Sequence, residues 1–398
     1  IKIGKERNLV AQVQKVRHIL PLVPLAVKYS FFTTHSHFAP ASILKEKDVH
    51  LFYLNNDSAA FIRIGPGVDI FNIRKNPIFF LSQTNNAKEI IITPRVIFDR
   101  VVEDIDVTDR DVVWLFQTFR CGSTIWSQIF GSLPGFSVIS ETQTLFYSII
   151  EYTDVHDMQQ FSKTAEYEKM ALATIKWYIS STPKNTKIFW KTTLLDDYLI
   201  PIIHKHFPHH KMMFAYRNIL PCAASYERAF GWLPMIKFEL HYLVRDMLTC
   251  KPSKYHSRRC KLWYTSGYNP ARCDKAIKAA RPTLSGFEWF VLLWATRSSI
   301  VLQNKQNGIR IKPAKYEHLQ KDPKGTIKDV FNYLELPGEF IDVAYQAMEL
   351  DSQAGLFFSQ QNKTVHEQWH RTQEAVDRCN KILKIFDFPD LDSDFTLS

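Results

Sequence analysis

Apolar residues in the first quarter of the chain come in short runs broken by turn formers. Val49–Leu54, Ala59–Ile64, Val68–Ile73, Ile78–Leu81 and Ile90–Thr93 are separated by Asn55-Asn56-Asp57, Gly65-Pro66-Gly67, Asn76-Pro77 and Asn85-Asn86. Short β-prone runs with turns at this spacing predict a small antiparallel sheet. From Asp111 the texture changes. Val112–Phe116 is a continuous apolar run, as in a strand buried on both faces. A loop and a helical stretch over Ile125–Leu133 follow it. Lys187–Lys191 and Lys211–Tyr216 read as further strands, with a helix over Asp196–His206 between them. Later, Phe287–Gln303 reads as a helix, Ile309–Ile311 as a last strand, and Asp322–Leu350 as helices broken at Leu336-Pro337-Gly338. Strands alternating with helices predict an α/β fold, a parallel sheet flanked by helices. The divisions expected are a lead-in or stem over residues 1–40, a small β-rich N-terminal region over 41–110, and an α/β domain over 111–398 with a basic insertion at 231–283. No internal repeat is visible.

Composition narrows this picture. The chain has 398 residues, 45% hydrophobic and 23% charged, which excludes a wholly disordered or fibrous protein. Its net charge of +10 is concentrated. Arg245 to Arg281 holds ten Lys/Arg against two acids. Such a segment suits an anionic partner, whether a phosphorylated cofactor, an acidic glycan, nucleic acid or a membrane surface, and it also suits a plain solvated loop. It lacks any recognisable nucleic-acid module, so no nucleic-acid partner is expected. Cys250, Cys260 and Cys273 cluster there without zinc-ligand spacing, which leaves one disulfide or three free thiols open. No apolar run reaches about 18 residues, so no complete transmembrane helix is expected. Ile19–Val27 is short and carries Pro21 and Pro24. It could serve as a membrane-proximal stem, and an anchor upstream of the first residue stays open.

The sharpest local signal is the loop Thr118-Phe119-Arg120-Cys121-Gly122-Ser123-Thr124, between a buried strand and a helix. The first N–H groups of a helix lack internal partners and carry the positive end of its dipole, so this turn is a candidate anion site. Gly122 allows close backbone approach, Ser123 and Thr124 offer hydroxyls, and Arg120 offers a charged fork. The loop lacks the Gly-Lys-Ser/Thr of a Walker loop, which argues against a magnesium-dependent nucleotide kinase or NTPase. A second anion site is expected at Arg217, which ends the third strand, with Ser225 eight residues later on the next helix. Two anion sites on one sheet suit a cofactor phosphorylated at two positions.

In these residues the chain resembles the sulfotransferase superfamily that uses 3′-phosphoadenosine 5′-phosphosulfate (PAPS). Thr118 to Thr124 is similar to the family's 5′-phosphosulfate loop, nearest to the Arg-Ser-Gly-Ser-Ser/Thr form of carbohydrate sulfotransferases, with Cys121 in place of a Ser. Arg217 and Ser225 resemble the 3′-phosphate pair. Tyr316-Glu317-His318-Leu319 with Asp322-Pro323, and later Leu334-Glu335-Leu336-Pro337, resemble the family's C-terminal strand and helix. The resemblance runs from about Asp111 to about Pro337 and implies the P-loop NTPase-like sulfotransferase fold. It also implies PAPS as co-substrate, no metal, and transfer of a sulfonate to an acceptor hydroxyl, expected on a carbohydrate, with an acidic glycan as a partner suited to the basic segment. Arg120 would stabilise the leaving phosphate. Cytosolic members carry Lys-Thr-His after the second strand; here the chain reads Lys191-Thr192-Thr193. Carbohydrate-type members place a Glu about 21 residues past the loop Arg, and Glu141 holds that position. Glu141 is therefore the expected general base, with partial burial raising its proton affinity, although Thr142 replaces the usual Pro. Lys191 is expected either at the transferring sulfonate or in a salt bridge.

The missing His and the Cys121 and Thr142 replacements keep a second possibility open, a catalytically inactive binder of PAPS or its product nucleotide. His204, His206, His209 and His210 read as a polar helix end rather than a metal site. Asp351-Ser352-Gln353 could close over the cofactor, and Trp263 could stack on a sugar or base. The loop type, the sequons at Asn56 and Asn362 and the clustered cysteines favour the Golgi lumen over the cytoplasm.

Overall fold

The computed structural model describes residues 10–19, 31–142, 144, 163–193, 196–230, 275, 286–349 and 372–397. Two five-stranded sheets organise them. The N-terminal sheet contains β1 (Val10–Ile19), β2 (Phe31–Pro40), β3 (Val49–Leu54), β4 (Ser58–Ile64) and β5 (Ala87–Pro94) in the order β2-β1-β5-β4-β3. Every pairing in it is antiparallel. The second sheet contains β6 (Val112–Gln117), β7 (Phe136–Ser140), β8 (Lys187–Lys191), β9 (Lys211–Tyr216) and β10 (Lys312–Lys315) in the order β10-β9-β6-β8-β7. Every pairing here is parallel. Helices α1 (Phe79–Asn85) and α2 (Arg95–Glu103) accompany the first sheet. Around the second lie α3 (Ser123–Ser132), α4 (Ala165–Ser180), α5 (Leu199–His206), α6 (Ile219–Phe230), α7 (Gly286–Gln306), α8 (Tyr316–Lys321), α9 (Pro323–Leu334), α10 (Phe340–Ala347) and α11 (Gln373–Ile385).

The continuous apolar runs of the parallel strands serve two cores at once, because successive side chains point to opposite faces. On β6, Val113 and Leu115 pack with residues of α3, α9 and α10, among them Phe130, Ile327, Phe331 and Ala344. Val112, Trp114 and Phe116 face the other way, into a core shared with α4, α5 and the N-terminal sheet. Aromatic side chains knit that second core. Trp177 of α4 lies 5.1 Å from Phe61 and 5.6 Å from Phe98, and Tyr178 lies 5.5 Å from Trp190. The Tyr178 hydroxyl also donates to the Leu51 carbonyl at 2.6 Å, tying β3 to α4.

Several elements depart from the sequence expectation, each for a local reason. Residues 10–19 and 31–40, read as part of a lead-in, are two strands of the first sheet. Ala11 and Val13 are buried in β1, and the polar residues alternate with them. Val68–Ile73 is a set of turns rather than a strand. Asp69 and Asn72 accept backbone N–H groups from Phe71 and Lys75, and this Asx chemistry prevails over the β-prone side chains. Ile78 caps α1 instead of opening a strand. The last strand lies at Lys312–Lys315, beyond the expected Ile309–Ile311, whose isoleucines are core fillers. Thr164 and Thr372 mark the starts of α4 and α11 by accepting the N–H of Tyr167 and Ala375.

Candidate active site

The first, central and last strands of the parallel sheet point the same way, so their carboxyl ends open one crevice. The strand order changes direction at β6, the place where α/β sheets take ligands. The candidate residues converge there. Thr118 continues the ladder by donating its N–H to the Ala215 carbonyl at 3.0 Å. The chain then turns sharply, with φ of 62° at Phe119, 46° at Arg120 and 80° at Gly122. Left-handed residues in a turn present amide groups to a common concavity. The N-cap of α3 is Gly122, which brings no capping side chain of its own, so the start of the helix can face an anion.

The side chains of this loop divide their roles. The Arg120 Nε donates to the Ser225 Oγ at 3.1 Å, joining the loop to α6. Cys121 is buried, and burial pushes its thiol pKa up. Cys222 on α6 is pushed up to about 12, by burial first and then by the neighbouring Cys121. Its Sγ bonds to the Phe119 carbonyl at 3.0 Å. Burial thus favours the neutral form of both thiols. The Ser123 hydroxyl turns inward and donates to Gln117 Oε1, and the Gln117 amide in turn donates to the Thr192 carbonyl at 2.7 Å. Thr124 is joined to a cation: its Oγ1 accepts from Lys191 Nζ at 3.0 Å.

Lys191 ends β8 and Glu141 follows β7, two neighbouring strands. The Lys191 ammonium is 2.5 Å from Glu141 Oε1, with the lysine side chain 2% exposed and the carboxylate 20%. Glu141 has a left-handed φ of 59° and its N–H donates to the Lys191 carbonyl at 2.9 Å. Lys191, Glu141 and Thr124 thus form one cluster beside the loop. Thr193 lies two residues past Lys191. Its N–H and Oγ1 both bond to Asp196 Oδ2, at 2.6 and 2.8 Å. Burial raises Asp196 to about 7, against the lowering effect of those two bonds.

The second candidate anion site, Arg217, lies at the end of β9. The Arg217 guanidinium is stacked 4.7 Å from the centroid of the Tyr316 ring. Its Nε is 3.9 Å from Glu317 Oε1 and has no hydrogen-bond partner among the described residues. Glu317 Oε1 instead accepts the Asn218 N–H at 3.0 Å. A buried guanidinium donor left open is costly unless a ligand meets it, so Arg217 fits an anion such as a phosphate. Trp294 Nε1 donates to the Arg217 carbonyl at 2.9 Å and fixes the backbone.

Tyr316 links the two sites, since a Cβ on Gly122 would stand 2.5 Å from its ring. Neither Tyr316 as a wall nor Gln117, Cys222 and Arg297 as neighbours of the loop were foreseen. Arg297 could have been found as a cation just past the apolar run Phe290–Ala295 of a helical stretch. The histidines are structural. His210 accepts from Trp114 Nε1 at 3.2 Å and meets the Arg110 carbonyl at 3.0 Å, while His206 pairs with Glu168. Among the described residues no group of three or more His, Cys, Asp or Glu could hold a metal ion, and no helix is long and apolar enough to cross a membrane. Asn56 lies exposed in the β3–β4 turn. Asn362, Trp263, the basic segment, its three cysteines and Asp351-Ser352-Gln353 fall outside the described residues.

No family model matches the chain, and no curated protein matches it. Three solved structures similar to it are bacterial sulfotransferases. Sulfotransferase STF9 from Mycobacterium avium is 10% identical, with 63% of this chain and 70% of that one covered and a TM-score of 0.36. The sulfotransferase from Alicyclobacillus acidocaldarius is 15% identical over 58% of this chain and 83% of that one, at 0.31. Sulfotransferase STF1 from Mycobacterium tuberculosis H37Rv is 12% identical over 64% and 76%, also at 0.31.

Proposed function

We propose that this chain is a sulfotransferase that moves a sulfonate group from PAPS to an acceptor hydroxyl, in all preference a hydroxyl of a carbohydrate. One observation carries the proposal: two anion-binding arms meet in one crevice. Arg120 of the loop is bonded to Ser225 of α6, and Arg217, eight residues before Ser225 at the end of β9, keeps a buried donor without a hydrogen-bond partner among the described residues. A nucleotide with phosphates at its 5′ and 3′ ends needs that pairing of arms.

On this reading Arg120 and the α3 N–H groups hold the 5′ end, and Arg217 with Ser225 holds the 3′-phosphate. Sulfuryl transfer resembles phosphoryl transfer, an in-line displacement dominated by positioning and electrostatics. The bond between sulfur and the bridging phosphate oxygen breaks as the acceptor oxygen bonds to sulfur. Negative charge gathers on the leaving phosphate, where Arg120 and the loop amides meet it. The acceptor proton passes to Glu141. Lys191, fixed by Thr124, holds Glu141 against the crevice and places a positive charge beside the transferring group. The Golgi lumen is the compartment that suits a carbohydrate acceptor.

The same Lys191–Glu141 pair favours a second reading, a nucleotide binder in which the carboxylate is committed to the lysine and no transfer takes place. Calorimetric titration with 3′-phosphoadenosine 5′-phosphate separates these ideas from the rest. Micromolar binding by the wild type, lost in Arg217→Ala, supports the nucleotide site, and transfer from labelled PAPS to a carbohydrate panel then separates enzyme from binder. Absence of binding by a well-folded wild type would overturn both.

A further inference from the structure

Helix α7 contributes Phe287, Val291, Leu292, Trp294 and Ala295 to a core shared with α6 and α11. Two charged side chains in this helix are wholly buried: Glu288, which pairs with Arg378 of α11 at 2.5 Å, and Arg297. Arg297 is 0% exposed. A buried guanidinium is expensive unless its donors are met. Nη2 donates to Asp197 Oδ1 at 2.8 Å and to the Thr193 carbonyl at 3.2 Å. The guanidinium carbon lies 4.8 Å from the centroid of the Phe119 ring. Nε and Nη1 have no hydrogen-bond partner among the described residues. Helix packing alone would be served better by an apolar residue of similar volume.

What Arg297 touches gives it another use. Phe119 immediately precedes Arg120 and shares its left-handed backbone. Such residues keep that conformation only where their surroundings hold them, and a cation stacked on the ring is one such hold. Thr193 lies two residues past Lys191. Arg297 therefore grips both arms of the site, the anion loop through an aromatic ring and the β8 exit through a carbonyl, while Asp197 balances its charge.

We infer that Arg297 is a positioning residue, a clamp that sets Arg120 of the loop at a fixed distance from Lys191 of β8. Its effect on catalysis rests on the sulfotransferase reading above; the clamp itself concerns this chain alone. Arg297→Lys keeps a charge opposite Asp197 and removes the planar fork. In the Lys variant, amide hydrogen exchange in the peptide covering residues 118–124 rises about tenfold or more, while the N-terminal sheet exchanges as in the wild type. With PAPS and an acceptor, kcat falls about 100-fold, as expected for a reacting group displaced by an ångström, and KM for PAPS moves far less.

Unchanged exchange in the loop peptide overturns the clamp whether or not the wild type transfers sulfonate. So does a lowered melting temperature with kcat intact, the mark of a purely structural arginine. If the Lys variant does not fold, Phe119→Leu leaves the Arg297–Asp197 pair in place and must loosen the same peptide. A wild type that neither binds the nucleotide nor transfers, yet shows the loop loosened in the variant, refutes the sulfotransferase reading and leaves the clamp standing.

Discussion

Gly122→Ala tests the site where sequence, backbone and ligand chemistry meet. Gly122 has a φ of +80°, and an added Cβ would stand 2.5 Å from Cδ2 and 2.8 Å from Cε2 of Tyr316. Two costs follow. Placing a side chain in the left-handed region costs about 1–2 kcal/mol. Forcing a methyl into a packed contact costs about 1–3 kcal/mol more. The loss of stability should therefore be about 2–5 kcal/mol, read from urea unfolding of the variant. The second cost depends on Tyr316 and the first does not. In a Tyr316→Ala background, Gly122→Ala should cost only the backbone part, about 1–2 kcal/mol. The ring cannot yield without disturbing Arg217, which is stacked on it at 4.7 Å. Binding of 3′-phosphoadenosine 5′-phosphate should accordingly weaken about tenfold or more in the single variant, a change of about 1.4 kcal/mol. If Gly122→Ala costs the same with and without the Tyr316 ring, the contact is not what makes this position glycine, and the coupling of the two anion sites through Tyr316 is refuted.

Other outcomes follow from the same geometry. Arg120→Ala should lower kcat on the order of 100-fold in a labelled-PAPS assay, because a preorganised donor to the leaving phosphate is gone. Glu141→Gln should abolish most transfer while leaving calorimetric nucleotide affinity within about threefold, since in its proposed role Glu141 acts on the acceptor and not on the nucleotide. Stability should also fall with acid through His210, which burial, aided by the charge of His209, holds down at about 3. The folded protein keeps this group neutral, so its contribution is complete above the unfolded value of about 6.5 and is lost as pH drops toward 3. Urea midpoints between pH 7 and 4 should decline less steeply in His210→Gln than in the wild type.

The parallel sheet was legible because its strands are buried on both faces. Val112–Phe116 and Lys211–Tyr216 have few polar positions to confuse them with amphipathic helices, and their bounds in the structure fall within a residue of the expected ones. The loop residues and Arg217 were legible for the same reason, since they stand where such strands end. Other features depended on contacts that no local pattern records. β1 reads as polar and basic, and it becomes a strand because Ala11 and Val13 fit under the sheet. The inward turn of the Ser123 hydroxyl depends on Gln117, six residues earlier and across the strand–helix turn. Arg297 reaches Phe119 across 178 positions of sequence, a distance over which spacing carries no information.

The balance between an active enzyme and an inert binder is decided at Lys191 and Glu141. On the proposed reading, nucleotide binding alone has no need of either residue, because Arg120, Ser225 and Arg217 would supply the phosphate arms. Yet the lysine is almost wholly buried, and an ion pair out of water generally stabilises a fold less than apolar packing of the same volume. Glu141 adds backbone strain, with its φ of 59°, a conformation worth about 1 kcal/mol or more in a non-glycine residue. Both penalties fall on one pair, joined to Thr124 through Lys191 and lying at the ends of β7 and β8, across β6 from the strand that carries Arg217. Strain and buried charge gathered at one spot are characteristic of sites that perform chemistry. Replacing the pair with a neutral one, Lys191→Met with Glu141→Gln, should leave nucleotide affinity nearly unchanged, cost little stability or even raise it, and abolish transfer. An equal loss of nucleotide binding in that double variant would show that the pair belongs to the nucleotide site, and the inert binder would then be the better description.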